Sequence, residues 1–249
     1  LQTRRNVIGN LELPRDRYLA VKKKLLEDIR ETLEKNKRLP NIFEIVGNDK
    51  PKDARLNLKP KPKAKQDMKE IEDAFSTVTG LVLQKKLSGL DNYANWLKRN
   101  VGEVKMEKSA LSGEPVLIGE YSLSSVMPRN RLISEEESLV AGELRIQEPD
   151  AGRIGLDNAR EILGDVALFP GEFHFGTNEN VIECDTSGFA FNCYRTSVAR
   201  DTKYAAYSWW PKDSEYIFGS RIVHDSSFCI KCYNSNKLKG CFEVDNSRN

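Results

Sequence analysis

The chain has 249 residues, of which 39% are hydrophobic and 31% charged, with a formal net charge of +2. That length can bury a core without staples, and the high charged fraction points to extended portions beside a compact part. No apolar run approaches the roughly 18 residues of a membrane span and no signal pattern opens the chain; an odd count of five cysteines excludes a complete disulfide framework and makes a reducing compartment the default.

Charge is unevenly distributed. Between Lys50 and Lys69 there are eight Lys or Arg against two Asp, whereas Ser109 to Gly176 holds twelve acids against five Arg. Opposite local charges in one chain favour contact between copies.

Residues 1–47 read as an arm of about 14 residues and an amphipathic helix. From Arg15, the positions Tyr18, Val21, Leu25, Ile29 and Leu33 form one stripe, with Lys22, Lys23 and Lys24 outside it, and Pro40 lies beyond the helix end. Residues 48–66 carry Pro51, Pro60 and Pro62 among lysines and hardly any large apolar group. Such a segment buries too little to offset its ordering entropy. It reads as a solvated linker or as a strap across an acidic neighbour or nucleic acid, and the lack of aromatics there weighs against nucleic acid.

Residues 67–176 read as a mixed helix and hairpin domain. Met68, Ile71, Phe75, Val78 and Val82 mark one helix, and Tyr93, Trp96 and Leu97 mark another from Leu90 to Val101. Val104 to Met106 and Pro115 to Tyr121 flank a turn at Ser112, Gly113 and Glu114, which predicts a hairpin. Ser134 and Glu137 form a capping box that opens a short helix to about Leu144. Adjacent helix positions diverge, so Glu135, Glu136 and Glu137 suit the helix amino end better than a catalytic cluster. A last short helix runs from Leu156 to Leu163, closed by Gly164.

Residues 177–249 align in twelves beginning at Phe189, Asp201, Asp213, Asp225 and Lys237, with a weaker unit at Thr177. The fourth position reads Asn192, Tyr204, Tyr216, Phe228; the sixth Tyr194, Ala206, Phe218, Ile230, Phe242; the eighth includes Ser208, Ser220, Cys232 and Val244. Alternate residues recurring every twelve predict a β-solenoid. The bulk of these aromatics suggests a coil of about 24 residues, two units to a turn. The solenoid stops in mid-pattern and is expected to be incomplete at its carboxyl end; with no Met at Leu1, this reads as a processed product or part of something longer.

Three patterns in the repeat invite chemistry. Asp201, Asp213 and Asp225 start successive units, as a calcium or catalytic ladder or, more simply, as turn residues facing solvent. Cys229 and Cys232 form a CxxC with Cys241 nearby. These three are weak zinc candidates, the CxxC could also be a redox dithiol, and Cys193 in the same fifth position and Cys184 in the eighth favour packing of small buried hydrophobes instead. Tyr204, Tyr207, Trp209, Trp210 and Pro211 would make either a sugar platform or core. Two histidines, His174 and His224, offer little for acid–base work, Glu183, Glu215 and Glu243 share no repeat position, and no GxSxG, HExxH, P-loop or GxGxxG pattern occurs.

The segment DSSFCIKCYNSNKLKGCFEVDNS, with SEYIFGS before it, resembles cysteine-rich repeat tails of proteins encoded by archaea and their head-tail viruses or proviruses, over at most the last third of the chain. The resemblance implies a virion or particle component and carries over no catalytic residue.

The expected fold is α+β: a helical amino-terminal arm and small mixed region, then a solenoid of twelve-residue repeats. The expected function is non-enzymatic self-assembly in a large homo-oligomer, as a virion shell component, located in a virion or cytoplasmic particle. No cofactor, committed metal site or catalytic residue is expected. The alternatives are a carbohydrate-binding or carbohydrate-acting solenoid, using Trp209 and Trp210, and a zinc-binding interaction module.

Overall fold

The computed structural model describes residues 7–8, 11–49, 51, 66–120 and 122–248. Most of the basic segment between Lys50 and Lys69, part of the arm and Tyr121 lie outside the described residues. The chain divides into two compact units: Leu1–Lys59 with Lys108–Val116 and Val126–Pro170, and Pro60–Glu107 with Leu117–Ser125 and Gly171–Asn249. Lys105–Lys108 pairs with Pro115–Ile118 as the expected hairpin.

In the first unit, helix α1 (Arg15–Asn36) buries Val21 against Leu13, Ile146, Ala151, Ile154 and Ile162. A left-handed residue, Lys37, closes it, its amide bonded to the Leu33 carbonyl. A second capping box, Asn41 with Glu44, opens α2 (Ile42–Val46), whose Phe43 ring meets Phe169 edge-on at 4.8 Å. The buried Arg131 guanidinium donates to the carbonyls of Gly47, Gly164 and Ala167, which satisfies the backbone around it. The Ser134–Glu137 capping box is present, and Glu137 also accepts from Ser109 Oγ at 2.5 Å and the Ser112 amide at 3.2 Å.

The second unit is a β-solenoid of about six turns between residues 173 and 242, with helices packed on one side. Successive rungs are parallel and twelve residues apart: Ala205 pairs with Cys193 on one side and Ile217 on the other, and Cys229 with Ile217 and Cys241. One turn is therefore twelve residues, and the 24-residue coil is corrected. The bulky side chains that argued for a wide coil point outward.

The rung is four tripeptides. Every third residue from Phe189 to Asn246 has positive φ, only Gly219 and Gly240 among them being glycine. Each such residue turns the chain, and every third side chain points inward. Cys193, Thr196, Ala199, Thr202, Ala205 and Ser208 are all buried, and the pattern continues to Leu238. Four inward residues, none aromatic, fill a rung, so the fourth and sixth repeat positions are outward, contrary to the alternating reading. A non-glycine residue in the left-handed region costs roughly 1–2 kcal/mol. The inter-rung ladder offsets this repeatedly, and the hydroxyls inside the coil contribute to it. Ser208 Oγ shares its one proton between the Ala206 carbonyl at 3.0 Å and the Ile217 carbonyl at 3.3 Å, and accepts the Ser220 amide of the next rung at 3.2 Å. Ser214 does the same for Ser226 at 3.1 Å and Ser226 for Leu238 at 2.9 Å.

Helix α3 (Lys69–Val82), a 3-10 turn (Leu90–Tyr93) and α4 (Ala94–Lys98) cover one side of the coil. Ile71, Phe75, Val78, Leu90 and Leu97 pack against Tyr194, Ala206, Phe218 and Ile230. Each fully buried side chain of this size contributes roughly 1.5–3 kcal/mol. At Gly219, φ is +61° and a Cβ would stand 2.9 Å from the Leu97 carbonyl, so glycine lets α4 touch the coil.

Candidate functional site

Between inward residues, each tripeptide presents two outward side chains, which stack into four pairs of rows along the coil. The helices cover the pair containing Phe218 and Gly219. On a second pair, Tyr204, Tyr216 and Phe228 stack at ring separations of 4.7 Å. A third carries Trp209 and Trp210. The fourth carries Arg200 and Asp201, Lys212 and Asp213, His224 and Asp225.

This fourth face is a charge ladder. Arg200 is in register with Lys212, and Lys212 with His224, so the basic side chains form one row at a spacing of about 4.8 Å. Asp201, Asp213 and Asp225 form the parallel acidic row. Arg200 Nε lies 3.4 Å from Asp201 Oδ2 and Lys212 Nζ 3.4 Å from Asp213 Oδ2, with these side chains 37–55% exposed. An open groove lined by Asp201, Asp213, Glu215, Asp225 and Lys203 runs beside the acidic row. His224 differs: its ring packs edge-on to Trp210 at 5.4 Å, and burial and the Lys212 charge hold its pKa below the usual imidazole value.

The cysteines line the coil. Cys184, Cys193, Cys229 and Cys232 are buried and Cys241 is half-buried, all as free thiols. Cys229 and Cys232 occupy neighbouring inward corners of one rung, with Cys241 beside Cys229 in the next. Their sulfurs bond to backbone: Cys232 Sγ donates to Ile230, and Cys184 Sγ accepts the Thr196 amide as a serine would. Burial pushes the Cys193 thiol up to about 12 and Cys184 well above its ordinary value. The Cys229–Cys232 hydrogen bond raises the Cys229 thiol and holds Cys232 below its ordinary value, so burial and not a raised pKa is what keeps Cys232 from reagents. Among the described residues no three His, Cys, Asp or Glu side chains are grouped so as to hold a metal ion.

The aromatic cluster around Trp210 is dispersed. Pro211 is buried in register with the inward Val223, and buried Tyr207 donates its hydroxyl to Asp91 Oδ1 at 2.6 Å. Tyr204 belongs to the stacked row. Only Trp209 and Trp210 share a face, perpendicular to each other at 5.7 Å, with Arg221 over the Trp209 ring at 5.0 Å. The two rings therefore do not form one flat platform.

Two polar clusters lie elsewhere in the second unit. A cleft of about 220 Å³ includes Lys98, Glu103, Glu183, Arg195 and Tyr207. Its cations are spent: Arg195 Nε bonds Glu183 at 2.6 Å and Lys98 bonds Glu103 at 2.5 Å. Asp185 is fully buried, and burial raises its pKa to about 6 despite the neighbouring Ser197 and Thr186 hydroxyls.

The acidic row was legible as three aspartates at one repeat position, but its basic partner row was not, because Arg200 and Lys212 close the preceding unit. Asp91, Asp185 and Arg131 carried no motif; only contacts remote in sequence give them meaning. No family model, curated protein or solved structure matches this chain.

Proposed function

We propose that the chain is a non-enzymatic structural protein that assembles with copies of itself. The observation that carries this reading is the exposed charge ladder on a rigid coil, where Arg200 and Lys212 stand beside Asp201 and Asp213 in parallel rows. Repetitive, rigid, oppositely charged rows suit recognition of another regular surface better than capture of a small substrate. The fate of the reactive groups supports it. Four of the five thiols are buried, Tyr207 is tied to Asp91, and the cleft's ions are paired.

The eight basic residues in the sequence between Lys50 and Lys69 suit a second contact, with an acidic neighbour or nucleic acid. A virus-type shell is the setting that the resemblance of the last third implies. Sedimentation of the full chain at low and high salt tests this reading. A large assembly at low salt that shrinks as charge is screened is expected; the same small species at both salts overturns it.

A further inference from the structure

We infer that the charged face docks the same face of a second copy through a two-fold axis running parallel to the solenoid axis. The inference rests on the self-assembly reading and names the partner and orientation of the charge ladder.

The order of the rows sets the orientation. Looking down on the face, one row is basic, with Arg200 and Lys212, and the neighbouring row is acidic, with Asp201, Asp213 and Asp225. A two-fold interface brings a patch against itself, so every contact occurs twice. If the axis is parallel to the coil, rotation exchanges left and right while keeping rung order. Arg200 then faces Asp201 of the second copy, and Lys212 faces its Asp213. If the axis lies in the face but crosses the rows, left stays left, basic faces basic, and acid faces acid. The first arrangement is attractive and the second repulsive, so the rows choose between them.

Exposure permits the contact. Side-chain exposures are 55% for Arg200, 42% for Asp201, 37% for Lys212 and 46% for Asp213. The existing pairs within the chain leave oxygens and nitrogens free for a second partner. The patch spans three rungs, about 10 Å between its outer rungs at ladder spacing. That is far below the roughly 800 Å² per partner of a stable independent interface. The contact is therefore weak singly and gains strength by repetition in an assembly. Exposed charges at this separation are also screened by salt.

The test exchanges the rows. A variant carrying Arg200→Asp, Asp201→Arg, Lys212→Asp and Asp213→Lys keeps the composition and the self-complementarity but mirrors the pattern. Under the parallel axis, wild-type chains contact wild-type, swapped chains contact swapped, and mixed contacts place like charges together. Isotopically distinguished chains, mixed as unfolded protein, refolded and cross-linked at low salt, report the fraction of mixed contacts by mass spectrometry. Mixed contacts about fivefold below random are expected, from exposed pairs worth roughly 0.2–1 kcal/mol each. Random mixing, or an excess of mixed contacts as the crossed axis demands, overturns the inference. Should the swap prevent folding, the pair Lys212→Glu and Asp213→Lys gives a second route. Each variant associates poorly with itself and the two associate with each other; indifference to the pairing overturns it. A wild-type chain that stays monomeric at every salt defeats the self-assembly reading itself, whereas an assembly with random mixing defeats only this contact.

Discussion

Ser208 and Ser220 stand one above the other inside the coil, and the amide of Ser220 donates to Ser208 Oγ at 3.2 Å. The hydroxyl bridges rungs where the backbone turns. Replacing Ser208 with Ala leaves a buried donor without a partner, which costs about 1–3 kcal/mol. Ser208→Cys costs less, because Cys184 Sγ already accepts the Thr196 amide at 3.4 Å in the corresponding place. Urea unfolding of the two variants checks the order; equal stability of Ser208→Ala and wild type contradicts it.

Gly219 joins two elements. A Cβ there meets Leu97 at 2.9 Å, and the φ of +61° disfavours any other residue. Gly219→Ala is expected to destabilise by about 2–4 kcal/mol, as overpacking and a left-handed alanine combine. Hydrogen exchange should show α4 losing protection before the coil. Unchanged protection of both would be inconsistent with tight contact at this glycine.

Asp185 makes stability fall with rising pH. Its folded pKa is about 6 against an ordinary value of 3.8. Folding therefore favours the neutral form, and that contribution is complete below the unfolded value and lost as pH rises through about 6. The difference amounts to about 3 kcal/mol. Asp185→Asn should raise Tm at pH 8 and change it little at pH 3.5. A Tm difference that is flat with pH contradicts the assignment.

The thiols should be silent in the folded protein. Cys193, with its pKa near 12, and Cys184, Cys229 and Cys232 are buried, whereas Cys241 is half-buried. A thiol reagent at pH 8 is expected to modify at most Cys241 quickly, with the other four following global unfolding. Rapid reaction of Cys229 or Cys232 would show that the coil opens at that rung.

The twelve-residue repeat was legible because Asp201, Asp213 and Asp225 recur on one column and aromatics on another. Its subdivision into tripeptides was not. The inward residues alternate among Ala, Cys, Thr, Ser, Ile and Pro, a set united by fit to a narrow coil and not by hydropathy. The outward columns carry the larger groups, Tyr194, Phe218 and Ile230, because helices cover them, so hydrophobicity pointed to the wrong side of the wall. Helix α1 and the Ser134 capping box were readable from local chemistry. The helix from Leu90 to Val101 is instead a 3-10 turn and a five-residue helix, set by packing of Leu90 and Leu97 on the coil.

If copies of the chain assemble, the native mass of the full chain shows it. Light scattering at low and high salt, with images of the same samples, should give large symmetric particles at low salt that dissociate as charge is screened. A uniform 28.3 kDa monomer under both conditions would contradict it.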